Sequence, residues 1–113
     1  MKQANIYSDL EYKETKPAIK VLFETDFTKE IRIAMQQGVL MKKHQTPYPI
    51  VVEIVEGAID FGVKENTLNL KKGDLIALDG GVPHDLKAME DSIVRLTLTK
   101  YDETNRVKNV INN

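Results

Sequence analysis

The sequence contains no cysteine. Disulfides, thiolate metal sites and thiol nucleophiles are therefore excluded, while every compartment stays open. Long apolar runs are missing as well: nothing approaches the about 20 consecutive apolar residues of a membrane-spanning helix. An excess of charge is also missing, because 16 Lys and Arg nearly offset 17 Asp and Glu, for a net charge of -1. That balance gives no electrostatic reason to expect nucleic acid or an anionic membrane as partner. The opening residues, MKQANIYSDLEYKE, lack the apolar stretch of a secretory signal. A cytoplasmic location is the default expectation. Serine is scarce, and Ser8 and Ser92 lie far in sequence from either histidine, so no nucleophile constellation is legible. Histidine is equally scarce, with His44 and His84 the only two.

What is present is a chain of 113 residues, long enough for one domain with one moderate core. Its apolar residues alternate in short runs. Residues 1–17 are polar and end at Pro17; they read as loop, or as an edge strand around Asn5 to Tyr7. Ile19, Val21 and Phe23 then keep a strand period, and Ile31, Ile33 and Met35 read as a half-buried strand with one wet face. Val39 to His44 is the next strand. Thr46-Pro47-Tyr48-Pro49 is a loop, because its two prolines remove two backbone donors. Ile50 to Val55 is a strand that Glu56-Gly57 turns into Ile59, Phe61 and Val63, a pattern that reads as a hairpin.

Turns at Glu65-Asn66 and at Lys71 to Asp74 bracket a short strand at Leu68 and Leu70. Leu75 to Leu78 is wholly apolar, the pattern of a strand buried on both sides. After Asp79-Gly80-Gly81, a run with His84, Leu86 and Ala88 on one face precedes a last strand around Val94, Leu96 and Leu98. Eight or nine short strands with closely spaced turns and no helix predict an all-β sandwich or barrel. The expected division is an N-terminal segment over 1–17, the barrel over 18–100 and a polar tail over 101–113.

Two stretches parallel each other, Gly38 to Gly57 (GVLMKKHQTPYPIVVEIVEG) and Gly73 to Ala88 (GDLIALDGGVPHDLKA). Each opens on glycine, runs through apolar residues and carries one of the histidines. They resemble the two motifs of the small RmlC-like cupins, G-x5-H-x-H-x3-E-x6-G and G-x5-P-x-G-x2-H-x3-N. The spacing fits without a gap, at Gly38, His44, Thr46, Ile50 and Gly57, then Gly73, Asp79, Gly81, His84 and Ala88. The residue types depart from it: Thr46 stands where the family has its second histidine and Ile50 where it has glutamate. The resemblance spans about half the chain and implies a jelly-roll β-barrel. It also implies a cavity into which His44 and His84 both point.

Strand parity agrees, since His44 shares even numbering with Ile50, Val52 and Ile54, and His84 with Leu86 and Ala88. The expected ligand-binding residues are His44, Thr46, Tyr48, Ile50, Phe61 and His84, around a modest organic ligand. His44 and His84 are candidate metal ligands in an incomplete site. Two imidazoles fall short of the usual three or more protein ligands, so no tightly bound cofactor is expected, only a weak divalent metal. Glu53, of odd parity, is expected on the opposite face, Asp79 near the barrel mouth and Asp85 away from His84. Lys42 and Lys43 read as a solvated edge. Gly80-Gly81 lacks the following helix of a phosphate loop.

A small-molecule-binding barrel is the leading functional expectation. The alternatives are an oxygenase- or isomerase-type enzyme using the histidines as acid–base groups or weak metal ligands, and a structural or regulatory dimer without ligand. The expected partners are a small molecule and a second copy of the chain, paired through the outer residues Val51 and Val55.

Overall fold

The computed structural model describes residues 1–100; the expected polar tail, 101–113, lies outside the described residues. Among these, nine strands follow one another with no helix between them: β1 (Ala18–Glu24), β2 (Thr28–Met35), β3 (Leu40–His44), β4 (Ile50–Glu56), β5 (Ala58–Val63), β6 (Asn66–Lys71), β7 (Leu75–Leu78), β8 (His84–Ala88) and β9 (Ser92–Thr99). All pairings are antiparallel. The strands form a five-stranded sheet in the order β1-β2-β9-β4-β7 and a four-stranded sheet in the order β3-β8-β5-β6. Two facing sheets with a chain that passes repeatedly between them make a jelly roll.

The core lies between the sheets. Ile31, Ile33 and Met35 of β2, Ile50, Val52 and Ile54 of β4 and Val94 of β9 cluster with Ile59 and Phe61 of β5 and Leu86 and Ala88 of β8. Within each strand these residues are two apart, so one pleated face is buried throughout. The two motif stretches reappear in the backbone. Their glycines Gly38, Gly57, Gly73 and Gly81 have φ of 88°, 89°, 93° and 80°, and no other glycine has positive φ. Each ends or joins strands in a conformation that side chains other than glycine rarely adopt.

Three local expectations are corrected. First, β4 and β5 do not form a hairpin: β4 pairs with β7 and β9, and β5 with β6 and β8. The chain changes sheets at Gly57, where an added Cβ would come within 2.2 Å of the Ser92 hydroxyl. Ser92 is fully buried, accepts from the Ala58 amide at 3.1 Å and donates to the Glu90 carbonyl at 2.7 Å, which pins this corner. The hairpin is β5–β6, with Val63 opposite Asn66 and positive φ at both intervening residues, Lys64 and Glu65. That is the backbone of the primed two-residue turn whose twist matches the strands.

Second, β7 is an edge strand and leaves Leu75 61% exposed, because among the described residues no strand lies beyond it. Third, β2 has no wet face. Arg32 and Ala34, which alternate with its core residues, are buried too. Residues 5–9 form no strand; they turn across this face, and Arg32 holds them there. Its Nη1 donates to the carbonyls of Ile6 at 2.9 Å and Ser8 at 2.8 Å, and its Nη2 to that of Asp9 at 3.2 Å.

Candidate functional site

His44 and His84 are cross-strand partners in the β3–β8 pair. His84 opens β8, and its side chain points inward with Leu86 and Ala88, leaving it 3% exposed. His44 closes β3, and its inward direction needs a device. In β3, Leu40 lies opposite the outward Lys87 and Met41 opposite the inward Leu86. Regular alternation from Met41 would turn His44 to the outside. The register shifts between Met41 and His44, and this irregularity brings the imidazole back to the core side. The shared even numbering of His44 with β4 is therefore not the cause, because β3 and β4 belong to different sheets.

The two rings lie 4.4 Å apart between centroids and are tilted by 59°. The His84 ring stacks parallel to that of Phe61, at 5.6 Å and 6°. Each imidazole is fixed by its own chain. His44 Nδ1 donates to the Lys42 carbonyl at 2.8 Å and His84 Nδ1 to the Val82 carbonyl at 2.9 Å. A carbonyl only accepts, so Nδ1 carries the proton in both rings and Nε2 is the free nitrogen of the neutral form. Burial lowers the pKa of His84; the Val82 carbonyl opposes that shift, the His44 ring adds to it and the Asp85 carboxylate opposes it again. His84 is therefore held in the neutral form down to lower pH than a free imidazole.

The surrounding loops are locked together. The Gly81 amide donates to the Thr46 carbonyl at 2.7 Å, and a Cβ on Gly80 would stand 2.3 Å from the Pro47 carbonyl oxygen. Only the missing side chain lets the β7–β8 connection approach the β3–β4 loop so closely. The Thr46 hydroxyl donates to the Tyr48 carbonyl at 3.0 Å, which orders the proline loop. Tyr48 is half-buried, whereas Ile50 is core, 2% exposed. Of the six expected site residues, the structure brings His44, His84 and Phe61 into direct ring contact. It puts Thr46 and Tyr48 in the adjoining loop and Ile50 in the core.

The carboxylates lie elsewhere. Glu53 is on the outer face of the five-stranded sheet, where it accepts from Arg95 Nε at 2.9 Å, while Arg95 Nη1 reaches Glu30 at 3.1 Å. Asp79 is exposed. Asp85 faces away from His84 and covers Gly62 on the outer face of the four-stranded sheet. There it lines a groove of about 410 Å³ with Lys42, Lys43, Asp60, Thr67 and Lys87. Among the described residues no group of three or more His, Asp or Glu side chains is placed to hold a metal ion. Two imidazoles, a threonine committed to its own loop and an aliphatic core residue do not fit a tightly held transition metal.

Sequence reasoning missed the β3 irregularity, the burial of Arg32 and the role of Ser92. Hydrophobic pattern carries no signal for the first. A charged residue alternating with core residues, followed by no other cue, is equally silent on the second.

The sequence matches no protein-family model and no curated protein. Solved structures do resemble it. An RmlC-like cupin protein from Desulfovibrio desulfuricans superposes with a TM-score of 0.80 at 17% identity, over 88% of this chain and 96% of that one. A conserved protein of unknown function from Streptococcus pyogenes gives 0.76 at 19% identity, over 89% of each chain. A cupin superfamily protein from Desulfitobacterium hafniense gives 0.75 at 11% identity, over 81% of this chain and 84% of that one. Among the described residues no helix is long and apolar enough to cross a membrane. At these identities the likeness is one of architecture: the chain has the jelly-roll fold of the small RmlC-like cupins.

Proposed function

We propose that this jelly roll binds a small organic molecule at the barrel end framed by His44, Thr46, Tyr48, Ile50, Phe61 and His84. The observation that carries the reading is the pair of imidazoles with ring centroids 4.4 Å apart, each fixed through Nδ1 and each, among the described residues, with Nε2 uncommitted. A few oriented polar groups against an apolar wall are the usual make-up of a ligand site. Fragment screening by NMR, with the imidazole C–H signals of both histidines as reporters, tests it. Hits should move both signals together and lose that effect in His44→Phe. Hits confined to the outer groove at Asp60 and Lys87 would overturn the reading.

A second reading, acid–base catalysis, is favoured by the lowered pKa of His84 and its fixed tautomer, which suit a general base. Under it, His84→Gln would abolish turnover while leaving ligand binding. Metal occupancy is proposed to be weak and displaceable; one zinc, iron, manganese or nickel per untagged chain after chelator dialysis would refute that. We also propose a homodimer. The expected Val51 and Val55 are half-buried, but Ile19 at 59% and Val21 at 49% exposure leave the inner face of edge strand β1 uncovered. Sedimentation showing only a species near 12.8 kDa would refute it.

A further inference from the structure

Among the described residues no carboxylate neutralises the buried charge of Arg32. We propose that the cleft beside it, between residues 9–13 and strand β1, binds a small monocarboxylate whose oxygens take the unspent N–H donors of Arg32. The site lies on the outer face of the five-stranded sheet, so the inference goes beyond the reading above and does not depend on it. Its basis is a count of donors and of charges. A guanidinium carries five N–H donors. Nη1 spends two, on the Ile6 and Ser8 carbonyls, and Nη2 spends one, on that of Asp9. One N–H on Nη2 and the N–H on Nε are left, and among the described residues Nε has no partner. Nε and Nη2 share one edge of the planar group, an edge that a carboxylate grips with both oxygens.

A charge as buried as this one, 3% exposed, ordinarily has a counter-charge beside it. The neighbours of Arg32 deepen the imbalance. Lys20 lies directly opposite on β1 and Arg95 directly opposite on β9. Arg95 is neutralised by Glu30 and Glu53, whereas Lys20 has no ion pair among the described residues. Like charges directly opposite on a sheet repel, and an anion between them relieves the repulsion. The cleft is at that place. It measures about 350 Å³ and is lined by Arg32, Lys20 and Lys13, with Asp9 and Glu11. Three cations against two carboxylates leave room for one negative charge, which favours a monoanion over a dianion. All but Arg32 are exposed and screened by water, so the buried guanidinium supplies most of the attraction. The volume admits a short carbon skeleton behind the carboxylate. Nε is covered in the free protein. The Asp9 carbonyl, whose 3.2 Å bond is the longest of the three, is the contact that yields as the carboxylate enters.

Butyrate, butyramide and sulfate separate the classes. Each is titrated into the intact protein at low salt and about pH 7, where carboxylates are ionised. Nitrogen-15 NMR follows the Nε–H signal of Arg32 and the amides of residues 9–13. Butyrate is expected to move both along one saturation curve, with butyramide and sulfate about tenfold weaker or silent. Glu11→Gln, at an exposed position, should tighten butyrate a few-fold, and Lys20→Gln should weaken it by a similar factor. Butyramide binding as well as butyrate overturns the role of charge. Sulfate binding as well as butyrate marks an adventitious ion only and overturns the carboxylate class. An Arg32 signal that no probe moves overturns the cleft as a site and leaves the histidine reading untouched.

Discussion

Two places in this molecule take strongly polar side chains out of water, and they do so differently. On the outer face of the five-stranded sheet, Arg32 is 3% exposed and spends its guanidinium on three carbonyls of residues 6–9. Among the described residues its Nε finds no partner. At the barrel end, His84 is equally buried but among the described residues commits only one nitrogen, as does the less buried His44. Arginine has donors only and a charge that does not titrate. Arg32 therefore works as a rivet for the N-terminal segment. Each imidazole keeps an Nε2 lone pair, the group on which the proposed ligand site depends. The difference lies in what remains unspent once each side chain is fixed.

The largest change should come from Phe61→Ala, which empties a fully buried ring site against His84. A loss of about 3–5 kcal/mol in urea unfolding is expected. A loss below about 1 kcal/mol would mean that the wall of the histidine site is not part of the core. Next is Arg32→Leu, expected to cost about 1.5–3 kcal/mol, the worth of hydrogen bonds from a charged donor. Arg32→Lys should not rescue it, because an ammonium lacks the fork that reaches several carbonyls. Proteolysis within residues 5–9 should rise in both variants. Unchanged cleavage would show that the rivet does not hold that segment.

Gly80→Ala comes third, at about 1 kcal/mol, since its Cβ meets the Pro47 backbone and the two loops must part. The His44 and His84 ring signals should shift with it, whereas amides of residues 5–9 should not. The smallest effect is in pH dependence. Burial sets the folded pKa of His84 below its unfolded value of about 6.5. The unfolded chain therefore takes up this proton first as pH falls. Stability should be full above about 6.5 and decline toward the lower folded pKa, with no further loss from this group below it. Denaturation across this range should show a shallower decline in His84→Leu. An equal decline in the variant would remove His84 as its cause. Arg32→Leu should leave the slope as it is, because arginine does not titrate there.

Much of this architecture is legible in the residues, for identifiable reasons. Period-2 alternation marked most of the strands, since a half-buried pleat demands it. The motif glycines Gly38, Gly57, Gly73 and Gly81 marked the backbone positions with positive φ, since only glycine adopts them freely. Pairing was less legible. β4 and β5 are adjacent in sequence and joined by a tight turn, which reads as a hairpin; their separation into different sheets depends on which strands compete for their edges. The apolar run of β7 reads as doubly buried, but a strand's place at the edge is set by its neighbours and not by its own side chains.

The site divides in the same way. By itself the sequence determined that two histidines stand at motif spacing, that Thr46 and Ile50 replace two expected ligands, and that neither cysteine chemistry nor a membrane-spanning apolar run is available. Those are facts of residue type and count. Only the tertiary structure decided that His44 and His84 face each other. A register shift in β3 must reverse the direction of His44, and pairing with β8 must set the rings side by side. Only the structure, too, decided which nitrogen of each ring is spent, because the Lys42 and Val82 carbonyls take the Nδ1 protons through local backbone geometry that no residue pattern encodes.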